Sequence, residues 1–306
     1  MKNTFFILLA LSSLALVSCE DFFSQTVEID PPPYDKQLSF HLNLTDRDSA
    51  VQLVLTRNFG ILETVPNSDD YFVNGGSAEL YKDGQKWLTL APASADSGFV
   101  LVGELPEPLQ SGSTYEIRAA HPDDPMVSAV QTMPADFVVD SARVKRNAIS
   151  GQFGDEFDLV DVFLKDQPGV RNYYEITIVV NEYYISVDPI TGLYDTVYTG
   201  QQYTRYVDEY PDPNVEPGFD NGGLLSDQFF DGQAYKFQAK IYSGSNNDLL
   251  VRVRNITEEY YRWSRSYQAK YDAEENPFFE PVSVFDNLVD GLGIFSVARE
   301  RVFEVR

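Results

Sequence analysis

The sequence predicts a mainly β protein, in which an N-terminal immunoglobulin-like sandwich is followed by a larger β domain with one amphipathic helix. Three observations support this fold class. The 306 residues include 19 Tyr and 21 Phe, and aromatic and β-branched side chains favour strands. Apolar and polar residues alternate in many short segments, which is the period of a half-buried strand. Turn signals such as Asp83-Gly84 separate these segments at the spacing of a sandwich.

The chain begins with the features of a signal peptide. Lys2 precedes an apolar run over residues 5–17, which is shorter than the roughly 20 residues of a membrane-spanning helix. The run leads directly to Cys19, the single cysteine of the chain. Leu16-Val17-Ser18-Cys19 resembles the lipobox of bacterial lipoproteins, and the resemblance implies that Cys19 is acylated after removal of residues 1–18. The alternative for a lone cysteine is a small buried hydrophobic residue.

The charge balance of the chain limits its partners. The formal net charge is −24, and it becomes −25 when Lys2 leaves with the signal peptide. This balance argues against nucleic acid and anionic lipid surfaces as partners. A single cysteine allows no disulfide framework, so packing has to stabilise the fold.

Residues 19–35 are predicted to form a tether between the lipidated Cys19 and the first domain. Pro31-Pro32-Pro33 favours an extended polyproline II conformation and acts as a semi-rigid spacer. Glu20 and Asp21 resemble the acidic export signal of surface lipoproteins in Bacteroidota. The alternative for these two acids is a solvated tether without a signal.

Residues 36–134 are predicted to form the immunoglobulin-like sandwich. Apolar side chains occupy every second position in residues 38–44 and again in residues 51–55, as in strands with one buried face. The segment 105–115 resembles the turn and tyrosine that open a late strand of such domains, with Tyr115 as the tyrosine.

Residues 135–306 are predicted to form the second β domain. Strands are expected in six segments, at 137–145, 160–164, 173–187, 194–207, 234–242 and 249–253. The Pro/Gly turn at 188–192 predicts a long hairpin, and the acidic Pro/Gly segment 210–223 predicts an exposed loop outside the core.

One helix is predicted, over residues 255–274. Asn255 and Glu258 have the spacing of a capping box, and the helix has to end before Asn276-Pro277. Aromatic and aliphatic residues then fall on one helical face: Ile256, Tyr260, Trp263, Tyr267 and Tyr271. We expect this face to pack on the second sheet, and ligand stacking is the alternative.

Four motifs, in order along the chain, resemble those of a known family: Ser226-Asp227-Gln-Phe-Phe-Asp-Gly232-Gln-Ala-Tyr235, Glu259-Tyr260-Tyr261, Asn276-Pro-Phe-Phe-Glu-Pro281 and Asn287-Leu-Val-Asp-Gly-Leu-Gly-Ile-Phe295. This family of Bacteroidota lipoproteins is catalogued only as a domain of unknown function. The resemblance implies two β domains and an accessory role beside TonB-dependent outer-membrane receptors, and it supplies no catalytic residues. In the last motif, Gly291 and Gly293 indicate a turn or bulge before a strand at 294–297.

The sequence offers little for catalysis. His41 lies in a strand pattern and His121 in a Pro/Asp loop, and neither has the spacing of a zinc or iron site. Neither a Gly-x-Ser-x-Gly elbow nor a phosphate or dinucleotide motif occurs. A hydrolase that uses a pair of carboxylates is the enzymatic alternative, because sequence does not show the spatial separation of acids.

Acidic loops are weak candidates for calcium ligands: Asp155, Glu156, Asp158 and Asp161 in one, and Asp208, Glu209, Asp212, Glu216 and Asp220 in another. Of these, Asp208, Glu209, Asp212 and Asp220 are the candidates that we retain. Neither loop has EF-hand spacing, and solvated acids are the default interpretation. We expect no cofactor. Glycan stacking on Trp87 has little support.

We therefore predict a non-enzymatic outer-membrane lipoprotein, anchored through Cys19 and facing the cell exterior. The predicted role is that of a binding or accessory subunit of a TonB-dependent receptor in nutrient uptake, contacting the receptor through the loop 210–223. The alternatives are a surface hydrolase with a carboxylate pair and a structural or adhesive surface lipoprotein.

Overall fold

The computed structural model describes residues 33–60, 63, 67–95, 98–187, 191–243, 249–274, 280 and 282–305. The chain divides into a small unit, residues 1–35 and 59–64, and a main unit, residues 36–58 and 65–306. In the small unit, the Tyr34 hydroxyl donates a hydrogen bond to the Glu63 carboxylate. All elements below belong to the main unit.

The predicted mainly β fold class is confirmed, with one α-helix among the described residues. The strands are β1 (Leu38–Thr45), β2 (Ala50–Val54), β3 (Thr56–Arg57), β4 (Ser77–Lys82), β5 (Gln85–Ala95), β6 (Gly98–Glu104), β7 (Thr114–His121), β8 (Asp124–Thr132), β9 (Val138–Ser150), β10 (Glu156–Lys165), β11 (Tyr173–Val187), β12 (Tyr194–Thr204), β13 (Glu216–Pro217), β14 (Gly223–Ser226), β15 (Ala234–Tyr242), β16 (Leu249–Ile256) and β17 (Leu292–Val305), and the helix is α1 (Glu258–Glu274). Short 3₁₀ turns lie at Ser68–Tyr71, Phe219–Asn221 and Asp227–Phe229.

The N-terminal strands form a six-stranded sheet in the order β2-β6-β5-β4-β7-β8. β2 pairs with β6, β4 with β7, and β7 with β8, as the B–E and C–F–G strands do in an immunoglobulin-type sandwich. Strand β5 joins the two groups, because its first half pairs with β4 and its second half with β6. The buried Tyr115 begins β7, and its hydroxyl accepts a hydrogen bond from the Gln110 backbone N–H at 2.8 Å. Tyr115 thus enters a late strand after a turn, as the resemblance of segment 105–115 predicts.

The alternating pattern of the first strands is confirmed by burial. Apolar residues of β1 and β2 are at most 4% exposed, at Leu38, Phe40, Leu42, Leu44, Val51 and Leu53. Their side chains form one core with those of β4, β6, β7 and β8.

The C-terminal strand completes the first core as well as the second sheet. β17 pairs in parallel with β1 and antiparallel with β16, within an eight-stranded sheet in the order β13-β14-β11-β16-β17-β1-β3, with β12 beside β11. Leu288, Phe295 and Val297 belong to the same core as the first strands. The strand is longer than the predicted 294–297, and it links the two segments that the sequence divides at residue 134.

Gly293 permits the parallel pairing of β1 and β17. Its φ is +123°, and a Cβ atom there would lie 2.0 Å from the carbonyl oxygen of Phe40. Only glycine fits such a close approach of two backbones. The register of β1 and β17 runs through Gly293 without a shift, so the feature predicted here as a turn or bulge is a turn, which lies at Asp290 and Gly291 directly before β17.

The remaining strands, β15-β10-β9, form a three-stranded sheet. A second core includes buried side chains from β10, β15, β11 and β16, and partly buried side chains of β9 pack against it. The segment 210–223 contributes to this core, because Val215 is 7% exposed and the Tyr210 ring packs against Phe237. The prediction that this segment lies outside the core is therefore wrong, since its apolar side chains turn inward while its acids stay at the surface.

Helix α1 ends at Glu274, as predicted, but begins at Glu258. The predicted capping box is wrong: Thr257 caps the helix by accepting a hydrogen bond from the Tyr260 backbone N–H at 3.4 Å. Asn255 instead belongs to β16, and its side-chain amide donates to the Ala135 carbonyl at 3.1 Å.

The aromatic stripe packs as predicted over most of its length. Ile256, Tyr260 and Trp263 are at most 4% exposed and form a third core with Leu224 and Ile294. Tyr267 packs against this core. Tyr271 does not, because it is 56% exposed near the end of the helix. Within the described part of the chain, α1 is neither long nor apolar enough to cross a membrane.

Candidate functional site

The predicted lipidation motif, Leu16, Val17, Ser18 and Cys19, lies outside the described residues, as do most of the tether and the motif Asn276–Pro281 except Glu280. The candidate sites that the structure describes are therefore the acidic clusters, a cleft beside α1 and an exposed two-stranded arm.

Protein donors contact all four retained calcium candidates: Asp208, Glu209, Asp212 and Asp220. Lys240 Nζ contacts the first two carboxylates at 2.8 and 2.9 Å. The Tyr235 hydroxyl donates to Asp212, and the Thr204 hydroxyl donates to Asp220 at 2.7 Å. These hydrogen bonds fix the loop to neighbouring strands.

A different group of acids has the spacing of a metal site, and our sequence analysis did not identify it. One carboxylate oxygen from each of Asp166, Asp227 and Asp231 lies within 4.8 Å of the others. The sequence feature that could have indicated this group is the motif at residues 226–235, which contains two of the three acids. Burial raises the pKa of Asp227, which is 2% exposed.

Protein donors already occupy this triad. Asp166 accepts from the Tyr174 hydroxyl at 2.6 Å and from the Gly232 N–H at 2.8 Å, and Asp227 accepts from the Asn172 N–H at 2.6 Å. These bonds tie the β10–β11 connection to the residues after β14. These hydrogen bonds therefore give the three acids a structural role, in holding the two connections together, that requires no ion.

A buried ionic network supports the sheet beneath α1. Glu175 in β11 accepts a hydrogen bond from the Tyr260 hydroxyl at 2.9 Å and pairs with Arg254 at 3.2 Å. Arg254 also contacts Glu300 in β17 at 2.8 Å. Burial raises the pKa of the Glu175 carboxyl. The network joins helix α1 to three strands, which gives it a structural role.

The two histidines lie apart in the structure. His121 Nδ1 is 2.9 Å from an Asp124 carboxylate oxygen. His41 lies beside α1 with its ring centroid 5.2 Å from that of Trp263, and burial lowers its pKa. It lines an open cleft of about 310 Å³ together with Tyr267 and Asp286. Burial also raises the pKa of Asp286.

The most distinctive surface is the distal part of the β11–β12 hairpin, here called the arm, which comprises residues 181–187 and 194–202. β16 pairs with β11 only up to Val180, and β14 only up to Ile176. Within the described residues, the part of β11 beyond Val180 pairs with β12 alone. The sequence correctly predicts this hairpin, whose connecting residues 188–190 lie outside the described part.

Most large apolar side chains of the arm are exposed. Tyr184, Ile185, Val187, Tyr194 and Tyr198 are between 50 and 78% exposed. A two-stranded hairpin without further packing is marginally stable in water, and contiguous exposed apolar surface usually marks an interaction site. The geometry therefore suits the binding of another macromolecule.

Comparisons with known proteins give the family of the chain. No curated protein matches the sequence. One solved structure, described as "Biofilm associated protein - B domain", is 8% identical over 87% of this chain and 85% of that chain, with a TM-score of 0.18, which supports no argument. A family model described as a domain of unknown function, DUF4249, matches residues 24–303. Because the matched residues make up most of the chain, the chain belongs to the DUF4249 family.

Proposed function

We propose that this protein is a non-catalytic binding or accessory subunit, held on the outer membrane through Cys19, that works with a TonB-dependent receptor in nutrient uptake. The arm is the observation that carries the proposal. A lipid-anchored subunit of a larger assembly needs a surface that a partner covers. The arm is such a surface, because its apolar side chains contact water unless a partner covers them.

The N-terminal sequence supports the location. The Leu16–Cys19 motif provides for an acyl anchor, and the several chains of a lipoprotein anchor bind a bilayer durably. The Pro-rich tether then separates the folded part from the lipid surface, as expected for a subunit that faces outward and reaches a partner.

The structure changes the predicted contact surface. Tyr210 and Val215 pack in the second core, so residues 210–223 serve the fold. Deleting this segment is expected to unfold the protein and would not test receptor binding. The arm is a better surface, because few contacts anchor its distal part to the rest of the fold.

The test uses the full-length chain in its native cells. A tagged wild-type protein, purified in mild detergent, is expected to carry a TonB-dependent receptor that mass spectrometry identifies. Labelled fatty acid should enter the wild type and not Cys19→Ser, and external protease should cleave the protein on intact cells. Recovery of the protein alone and protected from protease would refute both the partner and the orientation.

A further inference from the structure

We propose that one face of the arm docks into an apolar groove of a partner protein whose rim carries lysine or arginine. This inference rests on the proposed function, because it takes that partner to be the receptor.

The register places apolar side chains on one face of the arm, here called the apolar face. Cross-strand neighbours point to the same side of a sheet, and so do residues two apart. The pairs Tyr183–Tyr198, Ile185–Thr196 and Val187–Tyr194 therefore share this face. The rings of Tyr183 and Tyr198 contact each other edge to face, with centroids 6.1 Å apart. No charged side chain belongs to this face.

The opposite face, here called the mixed face, carries the acids. The pairs Tyr184–Val197 and Ser186–Asp195 lie on this side. Glu182 lies two positions before Tyr184 and accepts a hydrogen bond from the Thr199 hydroxyl at 2.7 Å. The arm is thus a ribbon with one uncharged apolar side and one side with carboxylates.

The exposed area indicates a groove rather than a flat surface. Ile185, Val187, Tyr194 and Tyr198 are 50–78% exposed, and each offers about 100–150 Å² to a partner. Together they supply roughly 500 Å², which is below the approximately 800 Å² per partner of a stable interface. A partner that also covers both edges of the ribbon supplies the difference.

The charge of the hairpin selects the chemistry of the groove. The arm contains two acids, Glu182 and Asp195, and neither lysine nor arginine. A groove whose rim lies along the edges of the ribbon brings basic side chains within reach of the Glu182 and Asp195 carboxylates without covering Tyr184, and therefore gains most from lysine or arginine there. A second copy of this chain would bring the same acids and a further net charge of −24. An anionic lipid surface is disfavoured for the same reason.

The experiment places a photo-crosslinking amino acid at Ile185 or, as the matched control on the mixed face, at Tyr184, in the full-length protein in its native cells. We expect a protein adduct from position 185, with the crosslinked peptide mapping to an apolar segment of the receptor flanked by lysine or arginine. A weaker adduct is expected from position 184. An adduct with a second copy, equal adducts from both positions, or no protein adduct would overturn the inference.

Paired variants give a second measurement. Ile185→Thr with Tyr194→Thr removes apolar area from the apolar face, and Tyr184→Thr with Val197→Thr does so on the mixed face, while threonine preserves the preference for strands. The first pair is expected to reduce receptor recovery at least roughly tenfold and the second less than roughly threefold. Equal recovery with both pairs would refute the arm as the contact and leave the proposed function intact. A basic-rimmed adduct from a protein other than the receptor would refute the function and support the groove.

Discussion

Replacing Tyr260 with phenylalanine tests the energetic role of the buried ionic network. The Tyr260 hydroxyl donates to Glu175 Oε1 at 2.9 Å, and the two residues are 4% and 2% exposed. The other oxygen of Glu175 faces Arg254 at 3.2 Å. Because phenylalanine keeps the ring in the third core, the substitution removes a single hydrogen bond.

The expected loss follows from burial and charge. A hydrogen bond to a charged group contributes about 1.5–3 kcal/mol, and here water cannot easily replace the lost donor. We therefore expect the free energy of unfolding of Tyr260→Phe to fall by about 2 kcal/mol. In a unit of this size, such a change lowers the melting temperature by about 4–8 °C.

The loss should also depend on pH. Burial raises the pKa of Glu175 in the folded state above its unfolded value, so the folded state binds the carboxyl proton of Glu175 more tightly than the unfolded state does. The cost of burying the carboxylate is present at neutral pH and disappears as the pH falls through the folded pKa towards the unfolded one. The Tyr260 hydrogen bond lowers this pKa, and its removal is therefore expected to cost most at neutral pH and less in acid.

Urea unfolding of wild type and variant at several pH values measures both effects. Tyr261→Phe is the matched control, because the Tyr261 hydroxyl donates at 3.1 Å to Glu216, whose side chain is 37% exposed. Its loss is expected to stay below about 1 kcal/mol. A loss for Tyr260→Phe that equals the control, or that grows as the pH falls, would contradict this account.

Three further substitutions test other parts of the fold. Gly293→Ala should destabilise the protein by more than about 3 kcal/mol, because the added Cβ would meet a backbone oxygen. The control Gly112→Ala, where φ is +77° and no atom lies near the added Cβ, should cost about 1 kcal/mol. Similar melting temperatures for the two variants would refute the close approach at Gly293. Tyr115→Phe should cost about 1 kcal/mol by removing the acceptor for the Gln110 N–H, and an unchanged unfolding midpoint would count against that contact. Asp286→Asn should stabilise the protein slightly more at neutral than at acid pH, because partial desolvation raises the pKa of this largely exposed carboxyl and the small cost grows as the pH rises; a pH-independent effect on thermal melting would disprove this.

The sequence by itself determined the features that depend on neighbouring residues. Period-two alternation identified β1 and β2 with their buried faces, and the Pro/Gly turn at 188–192 identified the hairpin that carries the arm. The aromatic stripe identified α1, and segment 105–115 identified the turn that leads into β7 at Tyr115. The start of α1 was misplaced, because Asn255 and Thr257 are both good capping residues and only the end of β16 decides between them.

The tertiary structure decided which distant segments meet. Nothing in residues 292–305 shows that they lie beside β1, because the partner of a parallel strand is chosen by packing across the whole chain. The triad of Asp166, Asp227 and Asp231 likewise depends on the meeting of two connections far apart in sequence. The exposure of the arm has the same cause, because within the described residues the pairing of β11 with β14 stops at Ile176 and its pairing with β16 stops at Val180.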